Sequence, residues 1–463
     1  MAQQLAEKFI RESTAKSFDK THREMMKNNL HHFQDALSRG TAKFFDLENS
    51  KKKAHLLKWK AVENLDRYLL DFESNFTRRG GKVIWANDVE EAREEITRIL
   101  EQHEAKSIVK TASIVFEELG LSDYLGNKGF DITETDTGSF IARLLQEKPS
   151  NFISSAGYLD RSTVAKKFHE QFDCPLEATA EQLIEKVNEL LYEKFLRADV
   201  GISGANFLVA DSGSIAITEN EGNARLISTF PKIHISIAGI DNVVPSVHDM
   251  DLFWPLLASH SSSQNPATYN SLLSGPRQNS ETDGPKEMYV ILLDNGRSNL
   301  LTKKEQRQGL YCIRCGACLH VCPVYQSVGA DGYGITYPGP IGSMVAPHLQ
   351  QADNLHHLSF ATPLDGEASS VCPVHIELDK MLLLNRKEAV TQHLVGKSEQ
   401  RFWSGFAYLF QRRRLLDFFG GKTKNFLFKR LLKKAWGDQR DFPKLADKSF
   451  SKQWREQEKR KDQ

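Results

Sequence analysis

The chain has 463 residues, of which 40% are hydrophobic, and 61 basic residues nearly balance 60 acidic ones. That length suggests two or three domains with a real core, and a near-neutral balance gives no electrostatic footprint for nucleic acid. The six cysteines offer no disulfide framework, because five sit in two metal-type segments and only Cys174 stands elsewhere.

Residues 1–80 are charged and helical in period. Leu56, Trp59, Leu65, Tyr68, Leu69 and Phe72 read as one apolar stripe on a long packing helix. The start, Met1-Ala2-Gln3-Gln4-Leu5-Ala6-Glu7-Lys8, carries no apolar leader, and no stretch is long and apolar enough to span a bilayer. Cysteines without a disulfide framework argue for a reducing compartment, so a cytoplasmic protein is expected.

Arg78-Arg79-Gly80-Gly81-Lys82 breaks the helical region. Residues 83–86 then read as a buried strand, and Asp88 is the expected N-cap of a helix running to about Glu101. Further strands are expected at 107–110, 131–135 and 151–154, with a helix over 113–120. Alternating strands and helices predict a parallel α/β sheet.

A strong helix is expected over 181–195, followed by strands at about 201–210 and 214–218 with glycine-rich turns. Neither G-x-G-x-x-G nor a Walker lysine is present, so these glycines are not a nucleotide fingerprint. Glu219, Glu221, Gly222 and Asn223 cluster after a buried strand, where open α/β sheets bind ligands. A turn with solvated carboxylates is the plainer reading of the same loop. His234 begins the next buried strand and reads as a satisfied core histidine. Residues 259–287 read as one long loop, and a hydrophobic strand at 289–293 closes the domain.

The densest chemistry follows. Cys312, Cys315, Cys318 and Cys322, with Pro323 directly after, give the spacing C-x2-C-x2-C-x3-C-P that wraps a [4Fe–4S] cube. Zinc pairs rarely overlap in this way. In this pattern the first three thiolates take a remote fourth ligand, and the last cysteine of the run serves another cluster. Cys372-Pro373 supplies the remote ligand. The steps upstream that would complete a second cage hold Thr362, Asp365 and Ala368. One cluster on Cys312, Cys315, Cys318 and Cys372 is therefore expected. Cys322 is left as a buried thiol or a possible additional metal ligand.

A helix is expected from about Met381. From about Gly396, Arg412-Arg413-Arg414, Lys429-Arg430 and Lys433-Lys434 interleave with Phe418, Phe419, Phe426, Phe428 and Trp436. Such a basic amphipathic tail suits a partner or peripheral contact with an anionic membrane surface. Its end is expected to fray after about Lys448.

These motifs together resemble the lactate utilization protein B family, the iron–sulfur subunit of a bacterial lactate-utilization complex. The resemblance is carried by the Gly201–Asn206 turn, Asn220-Glu221-Gly222-Asn223-Ala224-Arg225, Gly275-Pro276-Arg277, Asp283-Gly284-Pro285, Asp294-Asn295-Gly296-Arg297, the cysteine run and Tyr337-Pro338-Gly339-Pro340-Ile341-Gly342. It implies an α/β lactate-utilization domain similar in fold to ribose-phosphate isomerase and CoA transferases, then an α-helical ferredoxin-type domain and a helical basic tail. The expected limits are 1–80 for the N-terminal helical segment, 81–300 for the α/β domain, 301–395 for the cluster domain and 396–463 for the tail. It also implies electron transfer during oxidation of lactate, or a related 2-hydroxy acid, to pyruvate. Sister subunits are the expected partners, with the electron acceptor open. The family usually holds two [4Fe–4S] clusters and tends to show Pro-Ala-x-His where this chain reads Ser155-Ala156-Gly157-Tyr158. Two other functions fit the residues: an acyl- or sugar-processing enzyme using the loop at 219–223, and a scaffold with a structural metal.

Overall fold

A computed structural model describes residues 2–145, 161–262, 264, 266–349, 355–412, 420–436 and 443–461. The sequence features at 151–154 and 155–158, with Arg413, Arg414, Phe418 and Phe419, lie outside the described residues. Two compact units are present, Met1–Glu388 and Ala389–Gln463.

Among the described residues of the first unit lie ten strands: β1 Lys82–Ala86, β2 Ser107–Lys110, β3 Asp131–Glu134, β4 Val200–Gly204, β5 Phe207–Val209, β6 Ser214–Glu219, β7 Ile233–Gly239, β8 Val243–Val244, β9 Tyr269–Leu273 and β10 Glu287–Leu293. Six form a wholly parallel sheet in the order β1-β10-β7-β4-β2-β3. This is the α/β architecture that alternating elements imply. Successive side chains of a strand point to opposite faces. Tyr289, Ile291 and Leu293 of β10 accordingly meet Ile96, Ile99 and Phe116 on one side. Met288, Val290 and Leu292 meet Phe72 and Phe76 on the other. Both faces of the central strands are covered, and all seven residues of β7 are buried. His234 of β7 bonds Ser203 Oγ through Nε2 at 2.8 Å, and burial lowers its pKa to about 4.

The remaining strands make a smaller sheet, β8-β5-β6-β9. β9 lies inside the segment read from sequence as loop. It pairs antiparallel with β6, Ile215 opposite Leu273. Its residues Tyr-Asn-Ser-Leu-Leu give little apolar alternation, since an edge strand is only half buried.

The long N-terminal helix is corrected in detail. Helices run Leu47–Glu63 and Leu65–Arg78, separated by Asn64 at φ −127°, ψ 41°. Leu65, Tyr68, Leu69 and Phe72 are buried as the stripe predicts, but Leu56 and Trp59 are 60% and 49% exposed. The break rotates the first helix, so it buries Ala54, Ala61, Lys51 and Lys58 instead.

The cysteine-bearing stretch is helical, with short helices Ala317–Val321, Pro323–Val328, Gly339–Val345 and Glu367–Ser370, then the longer Leu378–Thr391. It shares one apolar core with the small sheet, where Phe207, Val209 and Val244 meet Leu319, Tyr325 and Met344. The second unit carries helices Lys397–Phe410, Gly421–Trp436 and Phe450–Lys461. The last replaces the frayed end read from sequence: Ser449 O accepts from Lys452 and Gln453, and Lys448 pairs with Glu456 at 2.6 Å.

Gly213 turns the β5–β6 hairpin at φ 59°, and a Cβ there would sit 2.3 Å from the backbone nitrogen of Phe76. Gly213→Ala is expected to cost about 1–3 kcal/mol through strain and overlap. A lowered thermal midpoint against the native chain checks it.

Candidate metal centre and adjoining cleft

The turn Gln306–Tyr311 delivers Cys312. Arg314 then takes a left-handed conformation, φ 60°, and Gly316 follows at φ 78°. Left-handed backbone is ordinary for glycine and uncommon for arginine. These two reversals fold the chain tightly, so that Cys315 and Cys318 turn back toward Cys312. Cys372 arrives from the far end of the helical region, after Glu367–Ser370.

One small cavity is lined by Cys312, Cys315, Cys318 and Cys372, closed by Ile341, Val374, Ile376 and Leu378. Backbone N–H groups of Arg314 and Ile376 donate to the sulfurs of Cys312 and Cys372, at 3.3 and 3.4 Å. Burial first, then the neighbouring sulfurs, pushes Cys315 and Cys318 up strongly. Burial raises Cys372 to about 11. Among the described residues no three His, Cys, Asp or Glu side chains are grouped to hold a single metal ion. Four thiols around a shared apolar hole suit a wider, polynuclear group with one thiolate per iron.

Cys322 is held apart. Burial raises its pKa, while the backbone N–H groups of Tyr325 and Val324 work against that rise, and Asp365 is the charge facing it. Thr362 Oγ1 accepts from Leu364 N at 3.3 Å and Asp365 Oδ1 from Glu367 N at 3.2 Å. Where a second cage would need thiolates, these side chains tie their own turn. Ala368 packs against the core.

Beside the cysteines lies a buried group of charges that the sequence did not announce. Arg297 Nη1 and Nη2 donate to the two oxygens of Glu118, each at 2.9 Å, and Nε donates to Asp241 Oδ1 at 2.7 Å. Arg314 Nη2 donates to Asp241 at 2.8 and 3.1 Å, and Nη1 to the Tyr337 hydroxyl at 2.7 Å. Tyr337 donates in turn to Glu118. Lys58 Nζ donates to the Asp241 carbonyl at 2.5 Å. Burial would raise Asp241, but Arg314, Arg297 and Lys58 hold it at about 2. Burial lowers Lys58 to about 8. A motif search finds none of this, because the five charges come from five distant segments.

A cleft of about 360 Å³ opens at the carboxyl ends of β2, β4 and β7. Glu219, Glu221 and Asn223 line it, as the sequence reading placed them. Gly222 instead supplies the turn, φ 79°, that starts the helix Asn223–Ile227. The carboxylates are bonded as well as cleft-facing. Glu219 accepts from Ala224 N and Arg225 N at 2.7 and 3.0 Å. Glu221 accepts from Thr137 N and Oγ1, both at 2.9 Å. Burial raises Glu219, and burial followed by Asp136 raises Glu221. Asn206, at the end of the family-matching turn, lines the cleft too, as do Asn242, Ile313 and Arg314, which sequence reasoning did not assign to it.

Residues 69–293 match the LUD domain family and residues 308–376 the 4Fe-4S dicluster domain family. Lactate utilization protein B of Macrococcus caseolyticus is 35% identical over 403 residues, covering 84% of each chain. The protein of that name from Bacillus subtilis is 38% identical over 330 residues, covering 71% of this chain and 69% of its own. The chain belongs to the lactate utilization protein B family. An uncharacterized electron transport protein of Escherichia coli, YkgF, is also similar, at 37% identity over 347 residues, covering 75% of this chain and 73% of its own.

As a member of that family with a matched 4Fe-4S domain, the chain has an iron–sulfur cofactor and an electron-transfer role. The matched segment contains Cys312, Cys315, Cys318, Cys322 and Cys372. Two cubes call for four thiolates each, more than this member of the family holds there.

Asp241→Asn removes one partner from a buried ion network and leaves Arg297 and Arg314 short of countercharge. The expected loss is about 3–5 kcal/mol, read as a fall in melting temperature. The native Asp241 pKa is depressed from 3.8 to about 2. Its contribution to stability is therefore complete above about pH 4 and lost as pH falls through about 2. An acid-unfolding curve that is shallower in that window for Asp241→Asn checks the sign.

Proposed function

We propose that this chain carries electrons for a multi-protein system that oxidises lactate, or a related 2-hydroxy acid, to pyruvate, using one [4Fe–4S] cluster held by Cys312, Cys315, Cys318 and Cys372. The observation that carries this reading is the meeting of four thiols, from both ends of the helical region, in one apolar cavity. The names of the relatives, lactate utilization and electron transport, support the pathway.

When bound, the cluster supplies one-electron acceptor and donor chemistry. The chain's own residues set the conditions. Ile341, Val374, Ile376 and Leu378 keep water from the sulfurs. The N–H groups of Arg314 and Ile376 stabilise negative charge on Cys312 and Cys372. Arg314 adds a permanent cation beside the ligand loop, which favours the reduced state. A sister subunit removes the electrons from the hydroxy acid, and a second partner takes them onward. In this reading residues 81–300 are the lactate-utilization domain and 301–395 the cluster domain. The exposed aromatic and basic residues of 396–463 are the candidate contact for a partner or an anionic membrane surface.

A second reading draws on the cleft at the sheet's carboxyl edge: an acyl- or sugar-processing enzyme that needs no cluster. Turnover by cluster-free protein would favour it.

Anaerobic iron and sulfide analysis, with electron paramagnetic resonance before and after dithionite, tests the proposal. About four irons per chain and a signal appearing on reduction are expected. Cys372→Ala should lose that signal and most of the iron, whereas Cys322→Ala should keep both. About eight irons, or an unreducible centre, would reject the single electron-carrying cluster.

A further inference from the structure

The helix Lys20–Thr41 has two working faces. His22, Met26 and Phe33 recur at steps of four and seven, which keeps their side chains on one face. His22 and Met26 are buried, and the Phe33 ring stacks on His320 with centroids 3.2 Å apart. Met26 shares its apolar core with Cys318, Cys322 and Tyr325. This face seats the helix on the cysteine-bearing segment. Lys20, Arg23, Lys27 and His31 recur at steps of three and four on the neighbouring face, and all four are exposed.

With Gln326 and Ser327, these side chains line an open groove of about 510 Å³. Gln326 belongs to the helix Pro323–Val328, which starts directly after Cys322. Its Nε2 donates to the carbonyl of His320 at 2.6 Å. His320 is two residues beyond Cys318, a span of at most about 7 Å. The groove therefore reaches to within about 10 Å of a cluster ligand. Glu24 is the one carboxylate in the lining, and among the described residues the side chains of Lys20, Arg23 and Lys27 have no ion-pair or hydrogen-bond partner. The surroundings carry the opposite sign. Residues 1–388 hold 42 basic and 52 acidic side chains, so the groove is a positive spot on a negative body. The cleft that meets the cysteine loop at Ile313 and Arg314 is lined by Asp136, Glu219 and Glu221, and its Arg314 is already paired with Asp241. A negatively charged surface is repelled at the cleft and drawn to the groove.

We propose that this groove is where electrons leave the chain, the docking surface for a one-electron acceptor protein with an acidic face. The proposal deepens the electron-carrying reading above and rests on it, naming the chemistry of the partner that takes the electrons onward. One electron leaves the reduced centre and reduces the acceptor's own redox group by one; no atom or proton is transferred. Three unpaired cations on a concave surface raise the rate of encounter and fix the orientation in which the acceptor arrives. Orientation matters here because the groove, unlike the rest of the net acidic body, stands close to Cys318.

The experiment uses the full-length, anaerobically loaded protein, reduced and freed of reductant. Stopped-flow mixing follows its oxidation by cytochrome b5, an acidic haem protein, or by cytochrome c, a basic one. The second-order rate for cytochrome b5 should fall at least about tenfold as salt rises from about 10 mM to about 500 mM, because screening shortens the reach of the groove. At low salt the triple variant Lys20→Gln, Arg23→Gln, Lys27→Gln should slow cytochrome b5 at least about tenfold, with iron content, paramagnetic signal and the cytochrome c rate unchanged. Reversing the same three positions to Glu should slow cytochrome b5 further and speed cytochrome c. The rival attractor is the tail, where residues 389–463 hold 19 basic and 8 acidic side chains. A tail triple at exposed positions, Lys422→Gln, Lys429→Gln, Arg430→Gln, should leave the cytochrome b5 rate unchanged.

A cytochrome b5 rate unmoved by the groove triple, or moved as much by the tail triple, overturns the groove. Cytochrome c slowed alongside cytochrome b5 overturns the acidic partner. A reducible centre that passes electrons without regard to the acceptor's charge overturns the exit alone and leaves the electron-carrying reading standing. A centre that dithionite does not reduce sinks that reading, and the exit falls with it.

Discussion

Five buried charges hold the carboxyl edge of the parallel sheet together. Asp241 lies in the turn that ends β7, Arg297 just beyond β10, and Glu118 on the helix after β2. A parallel sheet delivers all its strand ends to one edge, so these residues meet there without any local signal in sequence. Buried ions are costly unless paired, and two carboxylates against Arg297 alone leave one cation missing. Lys58 comes from the N-terminal helices and Arg314 from the cysteine loop. The sheet therefore presents a deficit of one positive charge that Arg314 of the cysteine-bearing segment fills, while Lys58 binds the Asp241 carbonyl. This pairing places the cysteine loop against the sheet, and it holds Arg314 in a backbone conformation that arginine otherwise avoids.

The parts legible in the sequence were those written in local spacing. Cys312, Cys315, Cys318 and Cys372 were expected to meet, and they line one cavity, because such spacing is a property of consecutive residues. Thr362, Asp365 and Ala368 stand where the spacing would call for further thiolates, and the structure uses the first two to tie a turn. The parallel sheet followed from apolar runs alternating with amphipathic helices. Glu219, Glu221 and Asn223 were found because they follow a buried strand.

What was not legible depended on distant partners. The break at Asn64 leaves Leu56 and Trp59 exposed, although their spacing matches the buried stripe beyond it. Strand β9 has the composition of a loop and exists because β6 offers it an edge. The role of Arg314 could not be read at all. Between two cysteines it looks like any residue filling a C-x2-C gap, and its meaning comes from Asp241 and Tyr337, tens of residues away in either direction.

Ile313 and Arg314 line both the cleft and the cysteine cavity. Asn220 and Glu221 line the cleft alone, where they hold the backbone of Thr268 and Thr137. A substitution at Ile313 or Arg314 therefore alters the surroundings of Cys312 and Cys315 as well as the pocket. A designer re-aiming that pocket inherits the asymmetry.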